Sequence, residues 1–275
     1  MKEEFLNYFH DQQNEIIAVF DVHSSIKFLD NFIKFFEYSK NKIFMFGGDI
    51  FDESKENKKF EEKFFSFLKD LKNYNQIFAI PGNHDNKKIE KSLNEIGINI
   101  DKKRVKVVGS EFNVVGMGGS LKTPFSTPNE RSEEEFNSIL DLVDEKTIIL
   151  SHSPPFGIFD EIEGENAGSK VLLRIINEKK PALFLCGHIH FWLGIKKINS
   201  TTIVKVPAAE NGYIARIPTI NKVKEEKDFI KKIDEIDNLF YSTIPELKDL
   251  NILTSPKETV KFQKVYHEKG KIINP

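Results

Sequence analysis

Short, wholly apolar runs alternate with longer amphipathic ones through the first third of the chain, the pattern of buried strands separated by surface helices. The strands are residues 16–20 (Ile-Ile-Ala-Val-Phe), 43–46 (Ile-Phe-Met-Phe) and 77–80 (Ile-Phe-Ala-Ile). Ser24 or Ser25 caps a helix with the stripe Leu29, Phe32, Ile33 and Phe36. Phe60, Phe64, Leu68 and Leu71 recur at helical spacing over 57–72, and Ile89, Leu93 and Ile96 do so near 87–95. Residues 1–14 read as a further short helix with Phe5, Leu6 and Phe9 on one side.

Beyond this point the pattern changes. Residues 104–108 and 113–115 read as adjacent strands, followed by a loop with Gly116, Gly118 and Gly119 that runs on through Thr123–Ser126. Ser132-Glu133-Glu134-Glu135 is a capping box that opens a helix with the stripe Phe136, Ile139, Leu140 and Val143. A strand at 147–150 leads into a long connection, 152–167, read as a lid or substrate rim. A helix at 168–178 and strands at 182–186, 193–198, 202–206 and 213–217 follow. This order fits two packed sheets with helices outside better than one doubly wound sheet. Pro218 marks a boundary between a first domain, 1–218, and a C-terminal helical or mixed appendage, 219–275. The appendage has a charged amphipathic helix at 221–240 and a short strand at 259–265, and packs on the domain or at an oligomer contact.

Composition changes this picture only by exclusion. The chain has 275 residues, 39% hydrophobic and 30% charged, with a net charge of −2. That balance gives no broad basic surface for nucleic acid, although a local patch is compatible with it. Cys186 is the sole cysteine, so neither a disulfide framework nor a multi-thiolate zinc site is available. Met1–Phe5 lacks the form of a secretory leader, and no apolar run approaches the ~18 residues of a membrane span. The expected location is the cytoplasm.

Candidate chemistry gathers where the strands end. Five of the seven histidines lie in turns that directly follow apolar runs: His23, His84, His152, His188 and His190. Asp21, Asp49, Asp52, Asn83 and Asp85 lie in the same turns. Carboxyl ends of strands are where α/β sheets bind ligands, so the turns read as one site. Singly each motif has a structural reading, a turn or a helix cap; together they read as a site. His188 and His190, two apart, read as a chelate on an extended segment. Imidazole and carboxylate suit Mn, Fe, Co, Ni or Zn. The donors exceed what one tetrahedral centre takes and suit two ions sharing a carboxylate. Such a pair, roughly 3.5–4 Å apart, can clamp both oxygens of a displacement at phosphorus.

The ordered set Asp21-x-His23, Gly48-Asp49-x-x-Asp52, Gly82-Asn83-His84-Asp85, His152 and Gly187-His188-x-His190 resembles the calcineurin-like metallophosphoesterases. The resemblance implies a four-layer αββα sandwich, with two mixed β-sheets flanked by helices, around a dinuclear centre. It places Asp21, His23, Asp49 and His190 on one ion, with Asp49 bridging to a second held by Asn83, His152 and His188. Manganese is the expected metal, with iron, nickel, cobalt and zinc as alternatives. A metal-bridging hydroxide would attack, His84 would protonate the leaving group, and Asp52 would orient the His84 ring. Asp85 would support the loop or His84, without a catalytic role.

The protein phosphatases of the same superfamily carry an arginine directly after the second aspartate of the Gly-Asp block, where this chain has Glu53. Loss of that clamp leans the reading toward a phosphodiesterase acting on a small-molecule or nucleotide phosphoester. Lys122 and Arg131 are the candidates to replace it. Phe156, Phe191 and Trp192 border the site and either pack beneath loops or stack on a flat substrate group. The alternatives are a phosphomonoesterase or protein phosphatase, a DNA-repair-type nuclease, and a non-catalytic binding scaffold.

Overall fold

A computed structural model describes residues 15–52 and 58–217, and the backbone of 252–253 and 261–264. The helices expected at 1–14 and 221–240 lie outside the described residues. Three parallel strands, β1 (Ile16–Val19), β2 (Ile43–Phe46) and β3 (Gln76–Ala79), alternate with helices α1 (Ile26–Phe36), α2 (Lys58–Lys72) and α3 (Lys87–Ile96). Ser25 caps α1 by accepting from the Phe28 amide. Asn86 and the left-handed Gly97 bound α3.

The second half builds its own sheet. Strands β4 (Arg104–Lys106), β5 (Asn113–Met117), β6 (Thr147–Ser151), β9 (Leu183–Cys186), β10 (Gly194–Ile198) and β11 (Thr201–Lys205) lie in the order β10-β11-β9-β6-β5-β4. Its four central strands are parallel and its two edge strands antiparallel. Helices α4 (Glu133–Asn137) and α5 (Lys170–Lys179) accompany it. Strand β12 (Tyr213–Ile217) returns to the first sheet and pairs antiparallel with β1. Strands β13 (Ile252–Leu253) and β14 (Lys261–Lys264) extend that sheet beyond β12 in the order β13-β14-β12-β1-β2-β3.

The period-two alternation of the strands sorts the side chains into three apolar layers. Ile17, Val19, Phe44, Phe46, Ile77 and Ala79 face α1, α2 and α3. Their sequence neighbours Ile16, Ala18, Ile43, Met45 and Phe78 face Val114, Ile148, Leu150, Leu183, Leu185 and Val204 of the other sheet. Val115, Ile149, Phe184 and Ile203 face Phe136, Leu172, Ile175 and Ile176 of α4 and α5. Both faces of both sheets are therefore covered, which explains why the strands read as unbroken apolar runs. The architecture is the αββα sandwich.

One local expectation changes. The helix opened by Ser132 has its capping box but ends at Asn137, and Leu140–Leu142 continue as a 3₁₀ turn. The Ser138 hydroxyl donates to the Glu135 carbonyl (2.6 Å), competing with the next helical bond. The connection 152–167, read as a lid or substrate rim, carries a small hairpin of its own. Asp160 accepts from the Gly157 and Gly168 amides (3.0 and 2.8 Å), closing the base of a hairpin, β7 (Glu161–Ile162) with β8 (Glu165–Asn166).

Candidate metal centre

All five turns lie at the carboxyl ends of parallel strands, three from the first sheet and two from the second. They meet because the two sheets pack face to face with those ends at the same edge. Backbone bonds lace the first two turns together: Asp21 N–H donates to Gly48 O, and Val22 and His23 N–H donate to Asp49 O (3.0, 2.8 and 2.9 Å). Asp21, His23, Asp49 and His188 have φ between 46° and 75°, a conformation non-glycine residues adopt sparingly. Gly82 leaves room for this packing, since a Cβ there would stand 2.1 Å from Asp49 Oδ1.

The side chains form two groups whose donor atoms converge: Asp21, His23 and His190, and Asp49, His152 and His188. Asp49 stands between them. Its Oδ1 accepts from the His84 amide (2.8 Å), while Oδ2 lies 3.3 Å from His152 Nε2 and 3.8 Å from His23 Nε2. Asn83 Oδ1 lies 2.8 Å from His152 Nε2 and so joins the second group. His188 and His190 fall in different groups, which corrects the reading of an extended chelate. The positive φ of His188 turns the chain between them.

Buried carboxylates and imidazoles shift one another. Asp21 is held below the ordinary carboxylate range, because His190 and His152 outweigh the opposing effect of burial. Asp49 is lowered to about 2, with His152 outweighing burial. His152 is raised to about 9 and His190 to about 10, in each case because acidic neighbours overcome burial. Burial dominates at His188, lowered to about 3, and at His23, also lowered.

The donor set suits divalent ions. His152 Nδ1 donates to the Gly47 carbonyl (2.8 Å), which makes Nε2 the nitrogen turned toward Asn83 Oδ1 (2.8 Å) and Asp49 Oδ2 (3.3 Å). His190 Nδ1 donates to Glu210 (3.1 Å), which turns its Nε2 toward His23 Nε2 at 3.3 Å and Asp21 Oδ1 at 3.8 Å. Asp21 Oδ1 is buried with no hydrogen-bond partner. A buried carboxylate oxygen without a partner, beside imidazoles whose raised pKa values reflect the same uncompensated acidic charge, is what a shared cation would satisfy.

His84 is half-buried at the same place, its ring 5.3 Å from that of His23 in an edge-on arrangement. Asp52, also half-buried, donates its backbone N–H to Ser24 Oγ (3.1 Å) at the end of the neighbouring turn. Asp85 is a buttress: its carboxylate accepts from the Gly82, Ile50 and Phe51 amides (2.8, 3.3 and 3.0 Å), tying two turns together. Burial and the charge of Asp49 push its pKa up to about 7.

Two supporting residues escaped the sequence reading. Glu210 reaches His190 because the segment after β11 crosses between the sheets, with the Ala209 amide bonded to Phe20 O and the Glu210 amide to Asp21 O. Lys205, fully buried, donates to the Gly187 carbonyl (2.7 Å) beneath the histidine turn, and burial holds its pKa below that of an ordinary lysine. Neither carries a local motif. Cys186 is a buried thiol that burial pushes up to about 12, so it is no nucleophile.

An αββα sandwich with two donor groups joined by one aspartate defines a dinuclear metallohydrolase type of site. Residues 15–191 match the model of the calcineurin-like phosphoesterases, and the chain belongs to that family of metal-dependent phosphoesterases, which use a dinuclear divalent metal centre. Uncharacterized protein MJ1162 of Methanocaldococcus jannaschii is 35% identical over 156 residues, 54% of this chain and 70% of its own length. The crystal structure of TT1561 of Thermus thermophilus aligns over 75% of this chain and 94% of its own, with TM-score 0.54 and 16% identity. Another crystal structure aligns over 74% and 94%, with TM-score 0.59 and 19% identity. These two share the fold. Among the described residues no helix is long and apolar enough to cross a membrane.

Proposed function

We propose that this chain is a phosphodiesterase acting on a small phosphodiester, of nucleotide type. The observation that supports a diester is the engagement of Arg131. Its guanidinium pairs with Asp101 (2.7 and 3.3 Å) and bonds Asn129 Oδ1 (3.3 Å), with both ends of the pair nearly buried. Its charge is spent on the protein rather than offered to a terminal phosphate. Glu53, after the second aspartate of the Gly-Asp block, adds no positive charge either. A dianionic monoester needs more cationic contact than a monoanionic diester, so the diester suits this site better.

Asp21, His23 and His190 would hold one divalent ion, Asn83, His152 and His188 the other, and Asp49 both. Manganese is the ion proposed. Such ions supply Lewis-acid charge to a phosphoryl group and acidify water. The protein's part is orientation. Gly47 and Glu210 fix the His152 and His190 rings with Nε2 toward the donors. His84, at the mouth of the site, would pass a proton to the leaving alkoxide oxygen, with Asp52 as its orienting partner. Phe191, 84% exposed and next in sequence to His190, offers a flat face to a nucleobase.

The test is hydrolysis of bis-p-nitrophenyl phosphate against p-nitrophenyl phosphate by metal-stripped full chain, with Mn²⁺, Fe²⁺, Co²⁺, Ni²⁺ or Zn²⁺ restored. A higher kcat/KM on the diester is expected. A monoester preference would overturn the diester reading. Binding of two ions without hydrolysis of either would favour a scaffold.

A further inference from the structure

Residues 119–131 form a strap laid across the end of β3. Three bonds fasten it there: Gly119 N–H to Pro81 O (3.0 Å), Asn129 N–H to Asn83 O (3.0 Å) and Asn129 Nδ2 to Gly82 O (2.8 Å). At its centre, Glu130 Oε1 accepts from Thr123 N and Oγ1 (2.9 and 2.7 Å) and from Thr127 N and Oγ1 (3.0 and 3.3 Å). Phe125, between the two threonines, is 80% exposed.

The direction of these bonds decides how Asn83 faces the metal centre. The two ends of a side-chain amide have nearly the same shape, so sterics alone do not choose between them. An ionised carboxylate can only accept, so the Thr127 hydroxyl donates its single proton to Glu130. Its lone pairs are then what remains for Asn83, and the Asn83 amide must present Nδ2–H to Thr127 (3.2 Å). Oδ1 is thereby turned toward His152 Nε2 and the second donor group. The hydrogen bonds from Thr123 hold the Glu130 carboxyl below its ordinary pKa, which keeps it an acceptor.

We propose that Thr127, backed by Glu130, is a positioning residue that sets the Asn83 amide with its oxygen toward the Asp49–His152–His188 group. The inference rests on the metal reading above and names the device that selects one of its ligand atoms. The strap that carries Phe125 at the surface thus also fixes a donor at the floor of the site.

The experiment is a calorimetric titration of Mn²⁺ into metal-free full chain, for wild type, Thr127→Val and Thr127→Ser, together with the Asn83 side-chain amide resonances of the metal-free proteins. Wild type should show two binding events. Thr127→Val should weaken one by about 10-fold or more and leave the other unchanged, as expected on removal of a ligand's outer partner. Thr127→Ser, which keeps the hydroxyl, should titrate as wild type. The Asn83 amide resonances should move in Thr127→Val and hold in Thr127→Ser. Thr127→Ala replaces the valine variant should that protein fail to fold. Wild-type binding by the valine and alanine variants, equal weakening of both events, or equal loss in Thr127→Ser would overturn the proposal. A wild type that binds no Mn²⁺ would sink the metal reading, and the amide resonances would then decide the role of Thr127 alone. An Asn83 resonance indifferent to Thr127→Val overturns it.

Discussion

His190 Nδ1 stands 3.1 Å from Glu210 Oε1, and through this contact a residue outside every metal-type motif fixes the imidazole that shares a donor group with Asp21 and His23. An imidazole that donates from one nitrogen to a carboxylate is a better ligand at the other. Glu210→Ala is therefore expected to weaken one of two Mn²⁺ binding events by about 10- to 100-fold and spare the other. Isothermal titration of the metal-free chain measures both. Equal affinities in variant and wild type would remove Glu210 from the site.

His84 and Asp49 should separate chemistry from metal. His84→Ala is expected to keep two ions per chain while turnover of a diester with a poor leaving group falls by about 10² to 10⁴. The loss should shrink with p-nitrophenolate, which leaves without a proton. Asp49→Ala should lose metal, since its carboxylate lies between both groups. Elemental analysis beside steady-state kinetics gives the comparison, and full activity of His84→Ala on the poor leaving group would refute its role as acid.

The Asp101–Arg131 pair makes a stability prediction. Asp101 Oδ1 also accepts from the Gly118 amide (2.8 Å), so the pair anchors the glycine-rich loop as well. Asp101→Asn leaves a nearly buried guanidinium without its counter-charge, and breaking such a pair costs about 3–5 kcal/mol. Urea denaturation of the metal-free protein reads this directly. A change below about 1 kcal/mol, on the same scale, would mean that the pair is effectively solvated.

Phe32 is the centre of the helical layer on the first sheet. Fully buried, its ring meets those of Phe28, Phe36, Phe44, Phe46 and Phe67 at centroid distances of 4.8–6.2 Å. Phe32→Ala should cost about 3–5 kcal/mol, from lost transfer free energy and the cavity left behind. Phe32→Leu should cost markedly less. The denaturation midpoints of the two variants test the ordering.

Glu130 predicts a feature of the acid limb. The hydroxyl and amide of Thr123 lower its pKa in the folded chain, so protons bind it less readily there than in the unfolded chain. Its contribution to stability is present above the unfolded carboxyl value, about 4.3, and is lost as pH falls through the lower folded value. Glu130→Gln should therefore show a shallower loss of stability below about pH 4.3, at the start of that window. Melting temperatures measured between about pH 3 and 6, a range chosen to span it, provide the check; superimposable profiles would contradict the shift.

The layers and the candidate donors were legible in the sequence. Unbroken apolar strands are what a sheet covered on both faces requires, and runs such as Ile43–Phe46, short and ended by Gly47-Gly48, are too brief for buried helices. The donors of the two groups sit directly after those strands, so that local order already placed them at one edge. Tertiary structure decided what depends on contacts between distant segments. Strand β12 could join either sheet by its own pattern, and only its pairing with β1 carries the crossing segment, and Glu210 with it, to His190. The separation of His188 from His190 needed a left-handed residue whose strain the surrounding packing supports, and no spacing rule encodes that. Arg131 could have faced a phosphate until Asp101 claimed it across 30 residues. Hydrophobic period is a property of neighbours in the chain, whereas the choice of hydrogen-bond and ion-pair partners belongs to the folded whole.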